Sequence, residues 1–192
     1  LILLLLGSTI LALFTTTYAL ASALLGFLIY VGPYTYAKRR TPFAAHIGSI
    51  AGAMPPVAGY MAFTPVFTPD LYALFLIYAL WQLPHFFAIG IYRSEEYKAA
   101  GIPVLPLTHG TLTTKFQILI YIIAFAIAAL SLPYMGLTGP VYIFTMSFAG
   151  VVWIVLALSG FSAQDDKKWA RSMFRYSLVV VLALFVALIL QM

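Results

Sequence analysis

Apolar residues arrive in seven blocks separated by short polar or Pro/Gly breaks, at about 1–14, 18–34, 44–63, 71–91, 116–132, 141–158 and 173–190. Most reach the ~17–25 residues that carry a helix across a ~30 Å hydrocarbon core, where the backbone must satisfy its own polar groups. The pattern predicts an all-α, polytopic transmembrane bundle of seven spans, forming a single domain over residues 1–192. The first block is short, and the chain opens on Leu1 with no basic region ahead of it of the kind a signal peptide has. The expectation is that an upstream part is missing.

Irregularities in the pattern point to special places. The third block contains Gly48, Gly52, Pro55, Pro56 and Gly59. Tandem prolines remove two backbone donors and the glycines lower helix propensity, so a kink or local break is expected there. Such a break would line protein or a wet cavity, or else be a plain kink between packed helices. In the fourth block, an unbroken helix would put His85, Ile89, Tyr92 and Glu96 on one stripe, with Gln82 about 60° away. Pro84 can bend that helix. The connection from Tyr92 to Lys115 is long for a helix loop and is interrupted by Pro103 and Pro106.

Composition makes the membrane assignment firm: 64% hydrophobic residues, 8% charged and a mean hydropathy of +1.03 exceed what a soluble domain hides from water. The absence of cysteine excludes disulfides, thiolate nucleophiles and cysteine metal sites. All 10 Lys and Arg residues lie in or beside the connections after the second, fourth and sixth blocks, and the alternate connections have none. By the positive-inside rule the basic side is cytoplasmic, or faces the matrix in an organelle. The sequence shows no repeat, glycine-rich phosphate loop or serine triad.

The densest polar stretch, WQLPHFFAIGIYRSEEYKAAGIPVLP at 81–106, gathers Gln82, His85, Arg93, Glu95, Glu96, Tyr97 and Lys98. Lys38, Arg39 and Arg40 form either a solvated positive flank or a phosphate clamp. Glu95 and Glu96 are either a neutralised turn or a carboxylate site for Mg2+, which takes one or two protein carboxylates together with substrate phosphate oxygens. His85 is deep enough to need partners, as a structural histidine or as a ligand to a metal or heme iron. His46 reads as interfacial, and His109 as an exposed loop residue able to reach a phosphate. The mixed-charge run 164–171 is a snorkelling connection, or a lid or supplementary ion site. Basic groups and carboxylates above an aromatic bundle suit a substrate with an anionic head and a greasy tail, such as an isoprenyl diphosphate. A transporter of anionic lipids fits the composition equally.

The segments YTYAKRRTPF, IGSIAGAMPPVAGY, WQLPHFFAIGIYRSEEYKAAGIPVLP and DDKKWARSMFRYS, in this order between residues 34 and 177, together resemble the protoheme IX farnesyltransferases, or heme O synthases, of the UbiA-type intramembrane prenyltransferase superfamily. The resemblance implies a nine-helix bundle of which this chain supplies the last seven, and an aspartate-rich Mg2+-diphosphate motif ahead of residue 1. It implies that Tyr34, Lys38 and Arg39 contact the diphosphate, and that Lys38, Arg39 and Glu96 serve catalysis. Glu95 and Glu96 would hold Mg2+, with Arg93, Tyr97 and Lys98 around them as substrate-binding residues. Glu96 stands where many relatives have Asp, and Ala44 and Ala45 where they often have Asn. Gln82 and His85 would lie on the heme side.

The implied reaction joins farnesyl diphosphate to a vinyl group of heme b, which is substrate rather than prosthetic group, and adds water to give heme O and diphosphate. Implied partners are the two substrates, membrane lipids, and heme A synthase or terminal oxidase assembly, with no nucleic acid. The implied location is a bacterial cytoplasmic (inner) membrane with the active site facing the cytoplasm. The alternatives are an intramembrane prenyltransferase for an aromatic quinone precursor and a non-catalytic heme- or lipid-handling membrane protein.

Overall fold

A computed structural model describes residues 2–190, so Leu1 of the first block lies outside the described residues. Among the described residues there is no strand, and every apolar block is helical. The helices are α1 (Ile2–Phe14), α2 (Thr17–Ile29), α3 (Thr35–Ala37), α4 (Ala44–Phe63), α5 (Pro69–Tyr92), α6 (Ser94–Ala99), α7 (Leu105–Thr108), α8 (Gly110–Ser131), α9 (Pro140–Ser159) and α10 (Asp166–Ile189). Five stretches are long and apolar enough to cross a membrane: Thr17–Ala37, Pro69–Tyr92, Gly110–Met135, Pro140–Ser162 and Asp166–Ile189. The protein is an integral membrane helix bundle. Two of the seven expected spans are weaker by that measure. Helix α1 has only 13 residues, and α4, though 20 residues long, is diluted by glycine, proline and His46.

Local chemistry sets the ends. Thr16 caps α2 by accepting from the Ala19 amide at 3.1 Å, and its hydroxyl donates to the Met61 carbonyl at 2.6 Å, tying α2 to the end of α4. Thr68 caps α5, with Pro69 in the first turn. Asp165 caps α10, accepting from the Lys168 amide at 2.9 Å.

Helix α5 is the hub. It packs against α4, α8 and α10, while α2 lies on the other side of α4 and α9 joins α8 to α10. The larger core cluster belongs to α5, α8, α9 and α10, with Ile77, Phe125, Tyr142, Trp153 and Leu184 fully enclosed. Phe125 and Trp153 meet edge to face at 5.5 Å. Since lipid is as apolar as these side chains, close packing of small residues holds such helices together. Gly26 of α2 illustrates it: a Cβ there would come within 2.6 Å of the Met54 Cβ.

Two expectations are corrected. The tandem prolines do not break α4, which runs through Pro55 and Pro56, held between α2 and α5. The irregularity falls one helix earlier, in a π turn at Tyr30–Tyr34 that contains Pro33 and leads α2 into α3. There the Tyr30 carbonyl accepts both the Thr35 amide and, at 2.8 Å, the Thr35 hydroxyl. The four-residue stripe is also interrupted, because α5 stops at Tyr92 and Arg93 (φ −105°, ψ 20°) turns the chain, so Glu96 belongs to α6. The long connection after Tyr92 is folded into α6 and α7. Gly101 takes a left-handed φ of 64°, which lets the Ile102 amide reach the Tyr97 carbonyl at 2.9 Å and the Gly101 amide reach Lys98 at 3.1 Å. This Schellman closure fixes α6 and the placement of Tyr97.

Candidate active site

A cavity of about 120 Å3 opens where the 34–45 segment, the end of α5 and the α6–α7 connection meet. Its polar lining comes from Tyr34, Lys38, Thr41 and Tyr97, and Phe86, Phe87 and prolines form its walls. A second, deeper cleft shares Tyr34 and Phe86 with the first and adds Tyr30, Gly48, Gly52 and Gln82. Four residues apart, the two aromatic rings of the 30–34 segment share one face of the helix: Tyr30 and Tyr34 stack at 5.1 Å. Gly48 makes room for Tyr34, whose ring would lie 2.9 Å from a Cβ at that position. The Lys38 ammonium sits 5.8 Å from the Tyr34 ring centre.

Tyr97 is half-buried beside this cavity. Burial raises its phenol above the ordinary value, only partly opposed by the nearby Arg93 guanidinium. At neutral pH it is therefore protonated and able to donate a hydrogen bond.

The structure thus brings Tyr34, Lys38 and Tyr97 together, and places Gln82 in the adjoining cleft. Gln82 is buried and donates to the Tyr78 carbonyl at 3.0 Å and the Ser49 carbonyl at 3.3 Å. The other candidates stand around the cavity rather than on its wall. Arg39 and Lys98 are exposed. Arg93 pairs with Glu96 at 3.6 Å, and Glu95 with Lys167 at 3.7 Å, so α6 is tied both to the end of α5 and to the start of α10. Among the described residues no group of three or more His, Cys, Asp or Glu side chains is placed to hold a metal ion. Glu95 and Glu96 therefore fit Mg2+ only in its phosphate-assisted form, where substrate oxygens and water complete the shell.

His85 faces α10. Its Nδ1 is 2.7 Å from the Ser177 hydroxyl, and its ring stacks on Trp81 at 5.1 Å and packs against Phe174 at 4.9 Å. His46 bonds the Tyr121 hydroxyl through Nε2 at 2.9 Å, joining α4 to α8, and His109 is an exposed neighbour of Thr108. Sequence reasoning missed the importance of Lys115, which reads as one more charge of the basic connections. Lys115 is buried, with its ammonium 2.5 Å from Asp166 and 2.6 Å from the Gly160 carbonyl. It also missed Ser177, a lone hydroxyl in an apolar block whose partner is distant in sequence.

Comparison with known proteins agrees with this architecture. Protoheme IX farnesyltransferase of Protochlamydia amoebophila (strain UWE25) is 42% identical over 175 residues, 91% of this chain and 62% of that protein. Protoheme IX farnesyltransferase 2 of Pseudomonas putida (strain GB-1) is 44% identical over 165 residues, 85% of this chain and 56% of that protein. The Photorhabdus laumondii protoheme IX farnesyltransferase is 43% identical, over 88% of this chain and 58% of its own length. The chain therefore spans less than two thirds of the length of these relatives. A solved structure of digeranylgeranylglyceryl phosphate synthase shares the fold, with a TM-score of 0.81 at 20% identity over 99% of this chain and 66% of that one. The UbiA prenyltransferase family pattern matches residues 1–179, and the chain belongs to that family.

Proposed function

We propose that the full-length protein transfers the farnesyl group of farnesyl diphosphate to a vinyl group of heme b, with addition of water, giving heme O and diphosphate. The observation that carries this reading is the junction of Lys38, Tyr34 and Tyr97 at the mouth of an aromatic cleft, in a chain 42–44% identical to proteins named for that reaction. In this reading Lys38 and Arg39 hold the diphosphate, and the Tyr97 phenol donates to one of its oxygens, with Arg93 and Lys98 adding positive field. Glu95 and Glu96 would hold Mg2+, whose charge when bound offsets that developing on the leaving group.

The allylic C–O bond breaks and its electron pair leaves with the diphosphate. The faces of Tyr30, Tyr34 and Phe86 shield the allylic cation from water and stabilise it. The terminal vinyl carbon supplies the electron pair for the new C–C bond, leaving positive charge on the carbon attached to the porphyrin. Water adds there and loses a proton. In this reading the chemistry lies at the cytoplasmic face of a bacterial inner membrane, which the basic connections favour by the positive-inside rule, and the product would pass to heme A synthase or terminal oxidase assembly.

The test is to supply membranes carrying the full-length protein with heme b, farnesyl diphosphate and Mg2+ and to identify the extracted hemes by chromatography and mass. Wild type should yield a heme heavier by one farnesyl and one hydroxyl group. Lys38→Ala and Glu96→Ala should each lower the yield on the order of 100-fold with membrane insertion intact. Normal turnover in both variants would sink the diphosphate site; unchanged heme b in inserted wild type would overturn the acceptor and favour an aromatic one.

A further inference from the structure

The flank of α5 that faces α10 carries a built receptor that, Arg93 apart, the diphosphate chemistry does not use. The Ser177 hydroxyl has one proton, and donates it to the Phe174 carbonyl at 2.6 Å. Toward His85 it can therefore only accept, so the neutral imidazole carries its proton on Nδ1 and presents a lone pair at Nε2. Among the described residues Nε2 has no hydrogen-bond partner, and it is not among the fully enclosed unpaired atoms. A fixed, open imidazole lone pair at membrane depth is costly unless something occupies it.

The surroundings say what. Trp81 stacks on the His85 ring with an interplanar angle of 28°, the Trp81 indole being anchored by its N–H to the Ser177 carbonyl at 2.8 Å. Phe174 continues the aromatic surface to Tyr92 at 5.6 Å. Two turns from His85, about 10 Å along the axis, the Tyr92 ring is bracketed by two guanidiniums, Arg93 at 5.7 Å and Arg171 at 5.8 Å. An electron-pair donor at the deep end, tilted aromatic side chains between, and planar cations at the aqueous end fit a flat macrocycle with a Lewis-acidic centre and carboxylates on one edge.

We propose that this α5–α10 strip docks and orients the heme b acceptor, with His85 Nε2 toward the iron and Arg171 holding the propionates, assisted by Arg93. The proposal rests on the farnesyl-transfer reading above and adds the direction of the acceptor. Carboxylates at the aqueous end turn the opposite, vinyl-bearing edge inward. Gln82 and Phe86 lie about 60–100° around α5 from His85, so that edge meets the cleft where the allylic carbon would lie.

The experiment is a titration of the full-length protein, in nanodiscs, with heme b and with its dimethyl ester, followed by absorption spectra and by the heme O assay. Wild type should bind heme b about tenfold or more tightly than the ester. Arg171→Gln, a change at an exposed position, should weaken heme b binding by that factor and abolish the preference. His85→Ala should shift the spectrum of bound heme, and added imidazole should restore it. If Arg171→Gln keeps the preference, or His85→Ala keeps the wild-type spectrum while heme O still forms, the orientation is wrong and the farnesyl-transfer reading stands. If Arg171→Gln instead loses bound phosphatidylglycerol and nothing else, the strip is a lipid site. Wild type that neither binds heme b nor forms heme O overturns both.

Discussion

Gly52 and Gln82 define each other. The Gln82 side-chain amide occupies the place where a Gly52 Cβ would stand, and from there it reaches two carbonyls on different helices. Gly52→Ala should push that amide off both bonds and cost about 1–3 kcal/mol, the penalty for leaving buried polar atoms unpaired. Gly59→Ala, on the same helix with open space around it, should cost nothing and serves as the control. Thermal unfolding in detergent separates the two. Gln82 stood out in the sequence because an amide in an apolar block needs partners, whereas the identity of those partners could not be read. Ser49 and Tyr78 offer only carbonyls, which every residue has, and the Ser177 that fixes His85 is 92 residues away in the chain.

Between helices, the buried Lys115 works as a pin. Its ammonium joins α8 to Asp166 at the head of α10 and to the Gly160 carbonyl at the end of α9, with the Trp169 ring 5.4 Å away. Asp166→Ala leaves that charge enclosed with a single carbonyl, and removing one partner of a buried pair is strongly destabilising. Because the Asp166 side chain is 38% exposed, the expected loss is about 2–3 kcal/mol, read as a lower unfolding temperature in detergent. Lys115→Met with Asp166→Leu should recover most of it. Helix positions were legible from hydropathy blocks alone, since each block must bury or lipidate its side chains as one helix. The two failures share a cause: Pro55–Pro56 and the turn at Arg93 depend on what neighbouring elements supply, which a local pattern does not contain.

Across the bundle, the basic residues gather at one end. Lys38, Lys98, Lys167 and Lys168 are within reach of water there, in agreement with the charge bias of the connections. A membrane-impermeant amine reagent should modify them in inverted inner-membrane vesicles and leave them untouched in intact spheroplasts, while Lys115, enclosed by three helices, should resist in both. Modification in intact spheroplasts would reverse the proposed topology. The split of the polar stretch 81–106 into a cavity side (Gln82, Tyr97) and an α10 side (His85, Glu95) was not legible, because it depends on which helices flank α5. The π turn at Tyr30–Tyr34 adds a consequence for comparisons across the family. It acts as a one-residue insertion in the thread of the helix, setting everything beyond it back by about 1.5 Å and 100°. Relatives without that widened turn would need a one-residue gap there to be aligned correctly, and their Lys38 counterpart would otherwise be matched to a position on the wrong side of the helix.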